Sequence, residues 1–215
     1  MSMVNAFRSR SLIYRAIEDN EEDKAFIHSL WLDPQSLHQN NYNILHRPLS
    51  RKTSDSQHEA KQSSRLIDLL ICLPPVVEDC GNVTGAELSS QKPLPIGFIN
   101  LHGLSDNTRH HRTLDIGILI SAEHQGKGYG SEAVRWILNW GFQVVGLHRV
   151  GLQSGSFNTG AIRLWKRLGF REDGRDRESL WLNGSWHDEV RFSMLETEWR
   201  ALVEHEKNES DKVKP

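Results

Sequence analysis

The sequence lacks the features that mark secreted, metal-binding and membrane-spanning proteins. Only two cysteines, Cys72 and Cys80, occur in 215 residues, and they match neither a disulfide framework nor a zinc site. The histidines do not fall at metal-ligand spacings. Residues 1–11 contain no apolar signal-peptide core, and no apolar run reaches the ~18 residues of a membrane helix. These absences predict a cytoplasmic protein that binds no metal and no membrane.

The sequence also lacks a large excess of positive or negative charge. The formal net charge is -2, from 26 basic and 28 acidic residues, so no nucleic-acid partner is expected. The length suits one α/β domain over residues 1–206. Within it we expect a variable acceptor-side segment at 35–65, with a solvated helix at 55–64, and a loop insertion at 76–93. A disordered tail should follow at 207–215, and the protein should be a monomer or a homodimer.

The chain is organised around a strand, a glycine loop and a helix. Residues 114–120 form a β-branched apolar run, typical of a buried strand, and residues 131–140 read as an amphipathic helix. Between them stand Gly126, Gly128 and Gly130, with Lys127 beside them. Glycines leave room for a phosphate, and a helix N-terminus presents unpaired N–H groups and a positive dipole end. The stretch therefore predicts a pyrophosphate site.

Strands with little helix between them precede this stretch. Apolar runs at 65–73 and 95–102 join the strand at 114–120, and together they predict an antiparallel meander. Upstream, we expect a strand at 11–17 and a helix that Asp19 or Asn20 caps. These strands count against a parallel, doubly wound sheet.

Four further elements follow the glycine loop. Gly141 and Gly146 should end its helix, and a strand follows at 147–153. Asn158 can cap a helix over 159–168, with Gly169 after its end. Asn183-Gly184 predicts a tight hairpin, whose second arm should bury one face; that face carries Trp186, Val190, Phe192 and Met194. A terminal helix is expected at 195–206.

Two nucleotide-binding patterns must be weighed for the pyrophosphate site. Residues 128–133 match the dinucleotide fingerprint, which would indicate an oxidoreductase. In that fold, however, the glycines follow the strand directly, and the next strand ends in an acid that holds the ribose. Here residues 121–126 intervene, and the run at 147–153 contains no acid. The P-loop pattern also fails, because no Gly-Lys-Ser/Thr triplet occurs.

The stretch Gln125-Gly-Lys-Gly-Tyr-Gly130 resembles the acetyl-CoA signature of the GNAT superfamily of N-acetyltransferases. The residues from Asn158 to Gly169-Phe170 resemble the second signature, and residues 177–195 resemble the branch of the ribosomal-protein-alanine and spermidine acetyltransferases. The resemblance is dense over 94–199. It implies an α/β (α+β) fold, a single GNAT-like domain with a mixed, mostly antiparallel sheet of about six to seven strands. Helices would flank this sheet, which would splay at the cofactor strand.

The resemblance also implies an activity and a set of cofactor-binding residues. An acetyl group would pass from acetyl-CoA, the co-substrate, to a primary amine by direct attack in a ternary complex. Strand backbone would pair with the pantetheine, and the glycine loop would hold the pyrophosphate. The helix at 159–168 would contact the rest of the acetyl-CoA molecule, with Arg163, Lys166 or Arg167 meeting the 3′-phosphate. The residues expected to bind the cofactor are Ile118, Leu119, Ile120, Gln125, Gly126, Lys127, Gly128, Tyr129, Gly130, Ser131, Asn158, Trp165 and Lys166.

The proton transfers are less fully specified. The resemblance assigns catalysis to Asp115, as the base, and to Asn158, while His102 and His111 are further candidates for the base. Many relatives carry Tyr as general acid where Trp165 stands, and an indole N–H is no practical acid. The thiolate, with a pKa near ~8.5, can leave without help. The alternative is a catalytically weakened acyl-CoA-binding module.

The acceptor is either a small-molecule amine or a protein N-terminus. A polyamine would favour an acidic pocket, and residues 18–23 offer carboxylates for one. The same residues are better suited to the acidic N-terminal turn of a helix, which is the interpretation we favour.

Overall fold

The computed structural model describes residues 6–33, 48–62, 64–75 and 92–212. These residues contain seven β-strands and five α-helices. In chain order they are β1 (Ile13–Ala16), α1 (Glu21–Leu32), α2 (Arg51–Gln62), β2 (Arg65–Leu73), β3 (Leu94–His102), β4 (Thr113–Ile120), α3 (Tyr129–Asn139), β5 (Arg149–Gly155), α4 (Thr159–Arg167), β6 (Arg171–Leu182), β7 (Ser185–Leu195) and α5 (Glu196–Lys212). Short 3₁₀ turns precede and follow β4, at Arg109–His111 and Ala122–His124.

All seven strands belong to one sheet, in the order β1-β2-β3-β4-β5-β7-β6. Neighbouring strands are antiparallel except β4 and β5, which are parallel. The predicted α/β fold with a mixed, mostly antiparallel sheet is therefore confirmed. The meander of β2, β3 and β4 is confirmed as well.

The sheet opens between β4 and β5. Only residues 113–115 of β4 pair with β5, opposite residues 149–151. Residues 116–120 of β4 keep their partners on β3, at residues 97–101, but have none on β5. The splay expected at this strand is thus present, and it leaves a gap within the sheet.

Each face of the sheet carries its own core. On one face, α3 buries a stripe of residues at helical spacing, Ala133, Val134, Trp136, Ile137 and Leu138. On the other face, Ile27 and Trp31 of α1 pack on Leu70 and Cys72 of β2. Cys72 is a buried free thiol; Cys80 lies outside the described residues.

The N-terminal segment is fastened to α3. Glu132 accepts hydrogen bonds from the Ser9 hydroxyl (2.6 Å) and from the Ser11 amide (2.6 Å) and hydroxyl (2.5 Å). Tyr14 stacks on Trp136 with ring centroids 3.9 Å apart, and burial raises the pKa of its phenol. The helix that follows the glycine loop is therefore held both by the sheet and by the N-terminal segment.

Several predicted boundaries are wrong. Of the two glycines expected to end the helix after the glycine loop, Gly146 does so, at φ 74°, whereas Gly141 lies inside a π-helical segment, Trp140–Val145, that continues the helix. A Cβ at Gly141 would lie 3.2 Å from Leu147, so this glycine permits close packing. Residues after Glu206, expected to be disordered, continue α5 to Lys212.

The hairpin turn is confirmed, but the burial of its second arm is not complete. Asn183 and Gly184 adopt φ of 48° and 79°, as the predicted turn requires. Trp186 was expected in the core, yet it is 57 % exposed beside the equally exposed Trp181. Along the second arm of the hairpin, burial of this face begins only at Val190.

The acceptor-side helix begins earlier than predicted, at Arg51 rather than residue 55. Residues 34–47 and 76–91, which include most of the predicted loop insertion, lie outside the described residues. No described helix is both long enough and apolar enough to cross a bilayer. Nor does any group of three or more acidic, histidine or cysteine side chains in the described ranges form a metal site.

Candidate active site

A cleft of about 1150 Å³ occupies the gap between β4 and β5. The second half of β4, the glycine loop and the first turns of α3 and α4 line one end. Polar residues of β2, β3 and β4 line the other end, together with the aromatic side chains of Trp31 and Phe98. The cleft therefore connects the glycine loop with a polar pocket on the sheet.

The glycine loop has the geometry of an anion cradle. Gly126 and Gly128 adopt φ of 73° and 88°, a left-handed conformation that favours glycine. Apart from the chain neighbours, no atom of the described residues lies within 4 Å of the position that a Cβ would take at either residue. Gly128 is the N-cap of α3 and makes no side-chain capping hydrogen bond among the described residues, so the first N–H groups of the helix can donate to an anion.

The other loop residues hold this conformation. Gln125 donates from Nε2 to the carbonyl oxygen of Ile120 (2.9 Å), which ties the loop to the end of β4. His124 bonds through Nδ1 to the Ser121 hydroxyl (2.8 Å) and lines the cleft. Tyr129 packs against the core, with its ring 6.5 Å from that of His124. Gln125 and Tyr129 therefore hold the glycine loop in place against β4 and the core.

Two of the expected cations lie away from the cleft. Lys127 is exposed, and Lys166 forms an ion pair with Glu172 (3.4 Å); neither belongs to the described lining. Arg163 and Arg167 do line the cleft. Arg167 also donates to the Ser131 hydroxyl (3.1 Å), which links the N-terminal turn of α3 to α4.

Asn158 and Trp165 enter the cleft from α4. Asn158 is the N-cap of the helix, and its Oδ1 accepts from the Ala161 amide (3.1 Å). Trp165 is 6 % exposed and makes an edge-to-face contact with Phe170, centroids 5.4 Å apart. Both residues line the cleft. Trp165 is largely a core residue that presents one edge to the cleft.

At the polar end, two side chains lie over glycines of the neighbouring strand. Asn100 of β3 is opposite Gly117 of β4, and a Cβ at Gly117 would lie 2.8 Å from the Asn100 Oδ1. Asp115 of β4 is opposite Gly151 of β5, where a Cβ would overlap the Asp115 Oδ1. Each glycine provides the space that the polar side chain fills.

Sequence reasoning missed Asn100. It is 3 % exposed, lines the cleft, and its Oδ1 lies 3.0 Å from the His102 Nδ1. A buried amide inside an apolar strand is a signal that the sequence does carry, because such groups need partners. His102 also lines the cleft, whereas His111 is exposed on a 3₁₀ turn and stacks on His110.

Beside this end, Arg65 bridges β2 and α2. Its guanidinium contacts the Asp68 carboxylate and lies 3.4 Å from the His58 Nδ1. Burial lowers the pKa of His58, and the nearby Asp68 carboxylate opposes that effect. Arg65 reaches the cleft, so the wall formed by β2 carries a cation whose charge is balanced.

Four of the five acidic residues in the 18–23 run are engaged in ion pairs. Those pairs are Asp19–Lys24, Glu21–Arg51, Glu22–Lys92 and Asp23–Arg15. Burial alone would raise the pKa of Asp23, but the Arg15 guanidinium and the Glu18 amide outweigh it and lower the pKa. The run serves the first turn of α1, where carboxylates are favourable, and does not form an acidic pocket.

Comparisons with known sequences agree with this architecture. The family model described as acetyltransferase (GNAT) domain matches residues 11–171. The provisionally named ribosomal N-acetyltransferase YdaF of Bacillus subtilis is 35% identical over 105 residues, 49% of this chain and 56% of the relative. Spermidine N(1)-acetyltransferase of Vibrio cholerae is 32% identical over 89 residues, 41% of this chain and 51% of the relative. The chain spans about half the length of the curated relatives that it matches.

Solved structures share the fold. Vibrio cholerae spermidine N-acetyltransferase in complex with CoA and spermine superposes with a TM-score of 0.69 at 21% identity, over 88% of this chain and 98% of that one. A GNAT-family acetyltransferase from Bacillus anthracis gives 0.66 at 19% identity, over 89% and 98%. The family model covers well over half of the sequence, and the solved structures share the overall fold. The chain therefore belongs to the GNAT acetyltransferase family.

Proposed function

We propose that this protein is an acetyl-CoA-dependent N-acetyltransferase that acetylates a primary amine by direct attack in a ternary complex. One observation carries the proposal: the gap between β4 and β5 runs from an anion cradle at Gly126 and Gly128 to the polar pocket around Asp115. A donor with an anionic end and a reactive thioester end would fit along this path. A donor and an acceptor could then meet without a covalent enzyme intermediate.

The residues present suit CoA. The loop N–H groups and the N-terminus of α3 favour a pyrophosphate, and Arg163 and Arg167 would meet a further phosphate. Residues 118–120 have no partner on β5, so those of their backbone groups that bond neither to β3 nor to Gln125 can pair with the amides of a pantetheine arm. Asn158 and Trp165 would flank that arm. CoA supplies the thioester chemistry, while these residues bind and orient it.

Two groups at the polar end can accept a proton from an amine, Asp115 and His102. The residue at 165 offers no acidic hydroxyl, so departure of the thiolate would depend on its own low basicity. This arrangement still supplies the two requirements that geometry can meet, a positioned donor and a base within the cleft.

The acceptor would be a small-molecule amine or a protein N-terminus. The ion pairs of residues 19–23 and the contact of Arg65 with Asp68 leave little negative charge for a polycation. Trp31 and Phe98 provide an apolar wall. We therefore favour an acceptor with one amine next to an apolar group. The cytoplasmic location, the absence of a nucleic-acid partner and a monomeric or homodimeric state stay predictions.

The test combines ligand binding with turnover. CoA, and not NAD or NADP, is expected to raise the melting temperature. Acetyl-CoA with a panel of polyamines, aromatic monoamines and peptides of defined N-terminus should release free thiol with at least one amine. A melting temperature that responds to NAD(P) alone would favour the oxidoreductase, and CoA binding without any turnover would contradict the enzyme.

The weakened acyl-CoA-binding module is the second candidate, and the indole at position 165 favours it. A matched pair of variants separates the two. W165F and W165Y remove similar volume from a site packed on Phe170, but only W165Y adds a hydroxyl. A turnover of W165Y far above that of both wild type and W165F would indicate a degenerate site. Equal turnover of W165F and W165Y would favour an enzyme that works without this acid.

A further inference from the structure

A buried hydrogen bond at the polar end fixes the state of one histidine. The Asn100 side chain is 3 % exposed, and its Oδ1 lies 3.0 Å from the His102 Nδ1. A carboxamide oxygen accepts hydrogen bonds and cannot donate, so Nδ1 must carry the proton. In the neutral ring, Nε2 is then the basic nitrogen. We propose that His102, held in this tautomer by Asn100, is the general base of the proposed acetyl transfer.

The position of Asn100 is built into the sheet. It lies between Asp68 of β2 and Gly117 of β4, its register partners. Because a Cβ at Gly117 would lie 2.8 Å from the Asn100 Oδ1, only glycine leaves this amide its place. Asn100 does not act on the substrate in this proposal; it is a positioning residue for His102.

Charged side chains flank His102 on both neighbouring strands. Its register partners are Arg65 on β2 and Asp115 on β4. The Arg65 guanidinium is engaged with Asp68 and lies beside His58 of α2. Asp115 presents a carboxylate over Gly151, where it can attract an ammonium group and face the imidazolium that forms. In this arrangement His102 is the proton acceptor and Asp115 is its counter-ion.

The proton balance is simple. The acceptor ammonium gives one proton to Nε2 of His102, which becomes imidazolium and leaves a neutral amine. The amine nitrogen forms a bond to the thioester carbonyl carbon, the carbon–sulfur bond breaks, and the second nitrogen proton passes to the departing thiolate. His102 then releases its proton to solvent. The products are the amide, CoA thiol and one proton.

The inference rests on the proposed function for its substrate, but its structural part is tested without turnover. Long-range ¹H–¹⁵N spectra of the wild-type protein, with His102 assigned by comparison with H102Q, report the tautomer directly. We expect the Nδ1–H form in wild type and a mixture of forms in N100A. An Nε2–H ring in wild type would overturn the proposal, whatever the activity.

The catalytic part is tested by rates. H102Q should lower kcat/KM about a hundredfold, while H110Q, a matched change on an exposed turn, should leave kcat/KM unchanged. N100A should lower kcat about tenfold, with little change in KM. N100D, if it folds, should move the acid limb of the kcat/KM profile up by about one pH unit, because a carboxylate stabilises imidazolium.

The outcomes separate the two proposals. An active wild type whose H102Q variant keeps its rate contradicts the base alone, and loss of the acid limb in D115N but not in H102Q would transfer that role to Asp115. A wild type that binds CoA but acetylates no amine contradicts the proposed function, and the base with it.

Discussion

The carboxylate of Asp115 fills the space that a side chain at position 151 would occupy. The two residues are register partners across the three-residue parallel pairing of β4 and β5, and the Arg149 Nη1 lies 3.0 Å from the same point. Glycine at 151 thus sets where the negative charge of the polar pocket stands. A single methyl group added at position 151 would therefore displace the Asp115 carboxylate.

G151A should lower kcat/KM between about tenfold and a hundredfold, because the methyl group displaces the Asp115 carboxylate from the reacting amine. CoA affinity should not change, since Gly151 is remote from the glycine loop. Steady-state kinetics with CoA titration will check both. G174A is the control, as its nearest neighbour is the flexible end of Arg191 at 3.4 Å. Wild-type kinetics in G151A would show that the carboxylate position is unimportant.

G130A and G126A should separate binding from folding. A Cβ at Gly130 makes ordinary contacts, 3.9 Å to Leu164 and 4.0 Å to Ile120, and needs no unusual φ. G130A should therefore keep its melting temperature but bind CoA at least tenfold more weakly, because the methyl group enters the anion cradle.

G126A carries strain instead, because Gly126 has φ 73°. It should lose about 1 kcal/mol of unfolding free energy as well as CoA affinity. Denaturant unfolding and isothermal titration are the two measurements. Equal CoA affinity in G130A and wild type would exclude this turn as the pyrophosphate site.

R167A and K166A should differ, although the two residues are adjacent. Arg167 lines the cleft, whereas Lys166 pairs with Glu172 outside it. R167A should weaken CoA binding about tenfold, the loss expected for one charge-assisted hydrogen bond, and should affect dephospho-CoA less. K166A should leave both affinities unchanged. A larger loss in K166A would restore Lys166 as a phosphate ligand.

Glu132 should make the fold sensitive to acid. Burial alone would raise its pKa, but the hydrogen bonds from Ser11 and Ser9 outweigh burial and lower it from the ordinary value of 4.5. A carboxylate with a lowered folded-state pKa stabilises the protein above its unfolded pKa, and this stability is lost as the pH falls through the folded value. Unfolding free energy should therefore fall below about pH 4.5.

E132Q should be less stable than wild type by about 1–2 kcal/mol at pH 7, and the difference should shrink toward pH 3. E206Q makes the same change in an exposed pair with Arg135 and should cost little. Urea unfolding at both pH values provides the measurement. A difference between E132Q and wild type that does not depend on pH would mean that the charge of Glu132 contributes nothing.

Local patterns predicted much of this fold. The apolar run at 65–73 coincides with β2, Asn158 and Gly169 bound the α4 region as expected, and Asn183-Gly184 makes the predicted turn. In each case the determinant is contained in a few consecutive residues, such as a cap, a left-handed glycine or an apolar run.

Properties that depend on distant parts of the chain were not predictable. The alternation of the last strand identifies the buried face at Val190, Phe192 and Met194, but it does not show that burial begins only at Val190 and leaves Trp186 exposed. Gly141 looks like a helix terminator, yet its role is close packing on Leu147. The pairing of Asn100 with Gly117 depends on strand register, which a single sequence does not specify. The ion pair of Lys166 with Glu172 depends on how α4 packs against the start of β6, which a single sequence does not specify either.

The gap between β4 and β5 leaves the sheet incomplete along the second half of β4. Three residue pairs join the β1–β4 half to the β5–β7 half, and the backbone of residues 116–120 faces open space on one side. On the proposed function, a pantetheine arm takes the place of the absent ladder, so the substrate acts as an eighth, non-peptide strand. On this view, binding of the donor fills the gap between β4 and β5, and release of CoA after each turnover opens it again.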